Sequence, residues 1–126
     1  MPYQLQDTGA GFIAEFSGTL TDDDITTANS EIFSHPMWDL RSYQIWDFLT
    51  VDAVALSEEN IQSTSDKDSR AFEVPPGKVK IALVATAPDM VEFCNLYIES
   101  LGTDHITAQV FPDREQAYEW INGRKK

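Results

Sequence analysis

"VKIALVATAPDMVEFCNLYIESLG", Val79 to Gly102, carries the decision about the fold. Val79 to Ala85 is an apolar run interrupted only by Lys80, rich in β-branched residues and of strand length, which predicts a strand covered on both faces. From Pro88 the period changes: Val91, Cys94, Ile98 and Leu101 recur at helical spacing, and Gly102 follows as a stop signal. A buried strand leading into one helix is the building unit of an α/β sheet. The run is therefore expected to be the central parallel strand, with Leu83 fully buried.

The same alternation extends outward on both sides. Upstream, "VPPGK" breaks the chain before this strand, and a helix is predicted from Ser57. Its middle, "QSTSDKDSR", is nearly all polar; with Ile61, Ala71 and Phe72 as its only apolar anchors it is expected to bury a thin stripe and to be the least firmly held helix. "SYQIWDFLT" before it has strand character through Tyr43, Ile45, Trp46 and Phe48. Earlier still, Thr21 with Asp24 makes a capping pair for a helix whose face is Ile25, Ala28, Ile32 and Phe33, ending at His35-Pro36. Tyr3 to Gln6 and Gly11 to Gly18 flank "DTGAG" and predict an antiparallel hairpin. Downstream, "ITAQVF" is a short strand and "PDREQAYEWI" a helix capped by Asp113 and Gln116, with Ala117, Trp120 and Ile121 turned inward. The order β-β-α-β-α-β-α-β-α over 126 residues reads as an α/β single domain with a mixed, mostly parallel sheet.

Charge and composition narrow the function classes. Nine Lys and Arg against 21 Asp and Glu give a formal charge of -12, and "GRKK" at the end is the one basic cluster. Nucleic acid and anionic lipid surfaces are disfavoured as partners. The lone Cys94 excludes an internal disulfide and reads as a reduced core thiol, which suits a cytoplasmic chain. No basic-then-apolar leader pattern and no apolar stretch of bilayer length is found, so membrane insertion is not expected.

Candidate chemistry is sparse. Two separated histidines and one buried cysteine are poor material for a Cys-His pair or a metal site, and "TDDDIT" places Asp22, Asp23 and Asp24 where a helix N-terminus favours carboxylates. "GKVK" lacks the glycine and hydroxyl of a phosphate loop, so no cofactor is read. "DTGAG" shares Asp-Thr-Gly with aspartic proteases, but Asp7 sits in a hairpin turn without a matching second lobe. Asp47 and Asp52, with Thr50 between them, flank a strand end of the kind that binds ligands in α/β sheets, and are the ligand-binding candidates. His35 is expected to serve the carbonyls ending the first helix, and His105 to face solvent in a turn. Met37, Trp38 and Leu40 put apolar mass into a connector, either covering the core or meeting a partner such as a second copy in a homodimer.

The element order, the lysine-flanked strand "GKVKIALVAT" and the closing "QVFPDREQAYEWI" resemble a STAS domain, the sulphate-transporter and anti-sigma-factor-antagonist family, and within it the SpoIIAA-like branch. The resemblance covers almost the whole chain. It implies a non-catalytic cytoplasmic regulatory or protein-interaction module, with a carrier of a small apolar or lipid-like ligand as the alternative. A hydrolase using Asp47 or Asp52 is the third reading. In anti-sigma antagonists an Asp-Ser-Ser-Gly-like loop after the third strand carries a phosphorylated serine. The corresponding "VALSEEN" aligns Ser57 with that serine, but Ala55 or Leu56 replaces the Asp and Glu58 the Gly. Ser57 is thus the regulatory candidate, while a serine followed by acids at a helix start is also what ordinary capping produces. As a plain cap, it would tolerate aspartate at little or no cost.

Overall fold

The computed structural model describes residues 3–73 and 78–123. Its elements are β1 (Tyr3–Asp7), β2 (Gly11–Thr21), α1 (Asp22–Ser34), a 3-10 turn (Trp38–Leu40), β3 (Tyr43–Ala55), α2 (Glu58–Ala71), β4 (Val79–Val84), α3 (Pro88–Ser100), β5 (Ile106–Phe111) and α4 (Arg114–Ile121). Most of "VPPGK" and of "GRKK" lies outside the described residues.

The five strands lie in the order β1-β2-β3-β4-β5, with β1 antiparallel to β2 and every other pair parallel. The middle strand is therefore β3, which corrects the expectation that Val79 to Ala85 would be central. That run is apolar because both its faces are covered: Ile81 and Leu83 join one core cluster, Ala82 and Val84 the other. Leu83 is buried as expected. The consecutive order also places the helices. A chain that steps one way across a sheet by right-handed crossovers must put each connecting helix on the same face. Hence α1, α2 and α3 cover one side, and α4, which follows the last strand, covers the other with Ala117, Trp120 and Ile121 against Ile45, Val84 and Phe111.

The larger core is aromatic. Phe16 is completely buried and stacks on Trp46 at 5.6 Å and on Phe48 at 5.2 Å. At the other end of the ladder Gly11 lies against Tyr43 so closely that a Cβ would sit 2.5 Å from the Tyr43 carbonyl oxygen, so only glycine fits. The hairpin turn is held by Asp7, whose Oδ1 accepts from the Gly9 N–H at 2.9 Å. Arg41 donates to both Asp7 oxygens at 2.8 Å and His35 Nε2 lies 3.0 Å away. The Arg41 hydrogen bonds hold the Asp7 carboxyl well below the usual carboxylate range. His35 meets the end of α1 as expected, but through its backbone N–H, which donates to the Ile32 carbonyl; its ring lies against Asp7 and accepts from the Met37 N–H. His105 likewise turns inward, with Nδ1 against the Phe72 carbonyl.

Helix α2 departs most from expectation. Its inward face is polar rather than thin: Thr64, Ser65, Asp68 and Ser69 are buried beside Ile61. Ser65 Oγ donates to the Tyr97 carbonyl at 3.2 Å, and Ser69 Oγ accepts from the Gly102 N–H at 2.9 Å, so hydrogen bonds to α3 and the residues that follow it replace the missing apolar stripe. Amide exchange across residues 64–69 should accordingly be as slow as in the middle of α3. Exchange at the rate of a frayed helix end would mean that these bonds do not hold α2 down.

Candidate functional site

Strands β2 and β3 run on together beyond β4. The β3–β4 ladder ends at Asp47 opposite Val84, whereas β2 and β3 stay paired to Thr21 opposite Ala55. That shared end fixes the site, because α1 starts one residue after Thr21 and α2 three residues after Ala55, so both helices begin side by side. Asp22, the first residue of α1, reaches the cap of α2: its Oδ1 accepts from the Ser57 N–H at 2.9 Å and its Oδ2 from the Ser57 hydroxyl at 2.8 Å. Ser57 Oγ in turn accepts from the Asn60 N–H at 3.1 Å. Ser57 is the N-cap of α2, as its sequence context indicated. Its hydroxyl is also clamped by a carboxylate, and Asp22 was missed because only the β2–β3 register brings the two residues together. Thr21 and Asp24 form the full capping box of α1, which leaves Asp22 free for this second role.

The clamp changes what substitutions at Ser57 should do. Ser57→Ala removes both an acceptor for Asn60 and a donor for Asp22, and should cost about 0.5–2 kcal/mol. Ser57→Asp, harmless for an isolated cap, would place a second carboxylate against Asp22 and should destabilise as well. Urea unfolding checks both; Asp22→Asn in the Ser57→Asp background should recover stability, and its failure to do so would discount the charge repulsion.

Asp47, Thr50 and Asp52 do not form a shared site. All three lie within β3, which extends past the end expected for it. Asp47 is buried, takes the Leu49 N–H at 2.9 Å on Oδ1, and pairs through Oδ2 with Arg114 Nε at 2.5 Å. Glu15, opposite Asp47 in the ladder, lies 3.4 Å from the same guanidinium. Thr50 Oγ1 donates to the Phe16 carbonyl at 2.7 Å, beside a bulge between Glu15 and Ser17. Asp52 is exposed farther along the strand. The interface candidates also divide. Trp38 packs edge-on against Phe33 at 4.8 Å and Phe72 at 5.4 Å, so its ring covers the protein's own core, while Met37 and Leu40 are exposed.

Between the three helices and the sheet lies an apolar cavity of about 40 Å³, walled by Trp46, Phe48, Phe93 and Tyr97 among others and touching Asp68 and Cys94. Asp68 is 2% exposed. Its Oδ1 accepts from Asn29 Nδ2 at 3.1 Å and its Oδ2 from the Tyr97 hydroxyl at 2.6 Å, so one carboxylate links α1, α2 and α3. Burial pushes its pKa up to about 6 despite both hydrogen bonds. Burial also pushes the Cys94 thiol up to about 12, the reverse of what a thiolate nucleophile needs. No sequence signal marked Asp68, which sits in the polar run of α2.

No family model and no curated protein matches this sequence. Solved structures do. The Bacillus cell fate determinant SpoIIAA in its phosphorylated form aligns over 94% of this chain and 98% of its own, with a TM-score of 0.58 and 17% identity. The anti-sigma factor antagonist SpoIIAA in its unphosphorylated form aligns over 96% and 98%, with a TM-score of 0.59 and 16% identity. The fold is SpoIIAA-like. An uncharacterized protein of the DUF3478 family from Shewanella loihica, itself described as having a SpoIIAA-like fold, aligns over 94% and 91% with a TM-score of 0.59 and 12% identity. The SpoIIAA-like architecture thus spans nearly the whole chain. Among the described residues no helix is long and apolar enough to cross a membrane.

Proposed function

We propose that this chain is a non-catalytic interaction module that meets a protein partner at the head of α2, and that it does so without phosphorylation of Ser57. The clamp of Asp22 on the Ser57 hydroxyl carries this reading. A phosphate on Ser57 would displace a 2.8 Å hydrogen bond and bring its charge against Asp22, with Glu58 and Glu59 next in sequence. The neutral serine and the nearby carboxylate instead give this corner a fixed negative character. SpoIIAA, solved in phosphorylated and unphosphorylated forms, supplies the comparison of fold.

The competing readings have less support. A hydrolase would need a carboxylate free to exchange protons with substrate, whereas Asp47 is bound to Arg114 and Asp52 lies apart from it. A carrier of lipid-like molecules would need several hundred cubic ångströms of interior. The cavity beside Asp68 has about 40 Å³, so α2 would have to move away to admit such a cargo. Native mass spectrometry of protein taken from its source separates the three. The expected spectrum shows the unphosphorylated chain bound to a protein partner or to a second copy. A stoichiometric phosphate on Ser57 would overturn the phosphorylation-independent reading, and a stoichiometric apolar molecule would favour the carrier.

A further inference from the structure

The buried carboxylate of Asp68 has no cation within salt-bridge distance among the described residues; Lys67, an exposed neighbour on α2, acts on it only at a distance. Each carboxylate oxygen accepts one hydrogen bond and has a lone pair to spare. Its partner Asn29, itself 6% exposed, has a carbonyl oxygen with no hydrogen-bond donor among the described residues. Asn29 lies outside the cavity lining, so the acceptor that meets the cavity is the Asp68 carboxylate, whose burial without a compensating charge is unfavourable unless a proton or a cationic donor completes it. Asp68 borders the aromatic-walled cavity.

The surroundings have the matching charge. Phe93, which walls the cavity, also lines a surface groove of about 360 Å³ between the head of α2 and α3, bordered by Glu58, Glu92 and Glu99 over Leu96. We propose that the cavity binds the ammonium end of a linear aliphatic amine, with Asp68 as its counterion and the rest of the amine passing Phe93 into the acidic groove. The small volume of the cavity, about 40 Å³, favours a slim, unbranched end group. The titratable and charged groups facing Asp68 are Tyr97 and Cys94 on α3 and Lys67 on its own helix; α1 contributes the neutral Asn29, and the sheet contributes apolar side chains to the cavity. Ionised Asp68 is the form that attracts the amine, so affinity should fall as pH drops through about 6, while the amine itself stays charged. The Asp68 cavity stands without the partner role, while the groove shares Glu58 with the head of α2 proposed to meet a partner.

The test is an NMR titration of the full chain at pH 8 in 0.5 M salt, which screens association with exposed acids. The probes are methylammonium, 1,4-diaminobutane and methanol, the last as a neutral molecule of methylammonium's size. The expected result is saturable shifting of the Trp46 indole and of the Asp68 and Tyr97 amides with both amines, and none with methanol. Binding should weaken at least tenfold in Asp68→Asn, and at least tenfold in the unaltered protein between pH 8 and pH 5. The pH series needs no variant, so it decides the matter even where Asp68→Asn folds poorly. Binding that survives Asp68→Asn would be counterion association with an acidic surface. Equal shifts with methanol would reveal an unspecific void. Either of these, or no saturable shift at all, overturns the proposal.

Discussion

Phe16→Ala should lower the free energy of unfolding by about 3–5 kcal/mol. Phe16 has no exposed surface and stands where three aromatic rings meet, stacking on Trp46 and Phe48 and lying 5.6 Å from Tyr3 across the β1–β2 hairpin. Truncation removes the transfer free energy of the ring and leaves a void that the neighbouring rings, anchored on β1 and β3, are poorly placed to fill. Urea unfolding followed by tryptophan fluorescence gives the number directly, and an unchanged denaturant slope would show that only stability had moved. Phe16→Leu, which retains most of the volume, should lose less than half as much. A loss below about 1 kcal/mol for Phe16→Ala would mean that the aromatic cluster is not the centre of the core.

The second large effect is a dependence of stability on pH through Asp68. Its pKa is raised in the folded state from 3.8 to about 6, so between these values the folded protein binds a proton that the unfolded chain releases. The resulting stabilisation is present in full below about pH 4 and is lost as pH rises through 6; a rise of this size corresponds to about 3 kcal/mol. The comparison to make is the stability difference between the natural chain and Asp68→Asn from pH 4 to pH 8. The difference should move by about 3 kcal/mol against the natural chain as pH rises, because asparagine cannot ionise. Asp7 works in the opposite sense, being lowered by Arg41, but it is common to both proteins and cancels. A difference that stays flat across this range would show that Asp68 titrates as an ordinary carboxyl group. An amine that compensates Asp68 should offset the loss at high pH, which links this titration to the proposed ligand site.

Local patterns accounted for much of the architecture. Thr21 with Asp24, Ser57 ahead of Glu58, and Asp113 three residues before Gln116 marked helix starts, and each of these caps accepts from the expected backbone N–H. These signals are legible because a cap is made by residues within one turn of each other. The strand preceding α3 was equally plain, since its apolar run needs no partner to be recognised. Its rank in the sheet was not, because strand order depends on crossovers whose direction no local pattern records. The boundaries of β3 were missed for a related reason: Leu49 to Ala55 alternates weakly and has no β4 beside it, and its strand conformation rests on pairing with β2.

The sequence by itself determined the order of strands and helices, the hairpin at the start, the caps and the buried run of β4, because each follows from spacing within a few residues. Tertiary structure alone decided which charges and hydroxyls meet. Asp22 and Ser57 are 35 positions apart, Asp68 and Tyr97 29, and Asp47 and Arg114 67, and each contact is set by register or helix placement. The polar run of α2 illustrates the difference. Read locally it lacks an apolar face, yet in the fold its hydroxyls and carboxylate find donors and acceptors on α1 and α3. Hydrogen bonds between distant segments leave no periodic trace in a sequence, because a polar side chain that will be buried and satisfied has the same identity as one that will face water.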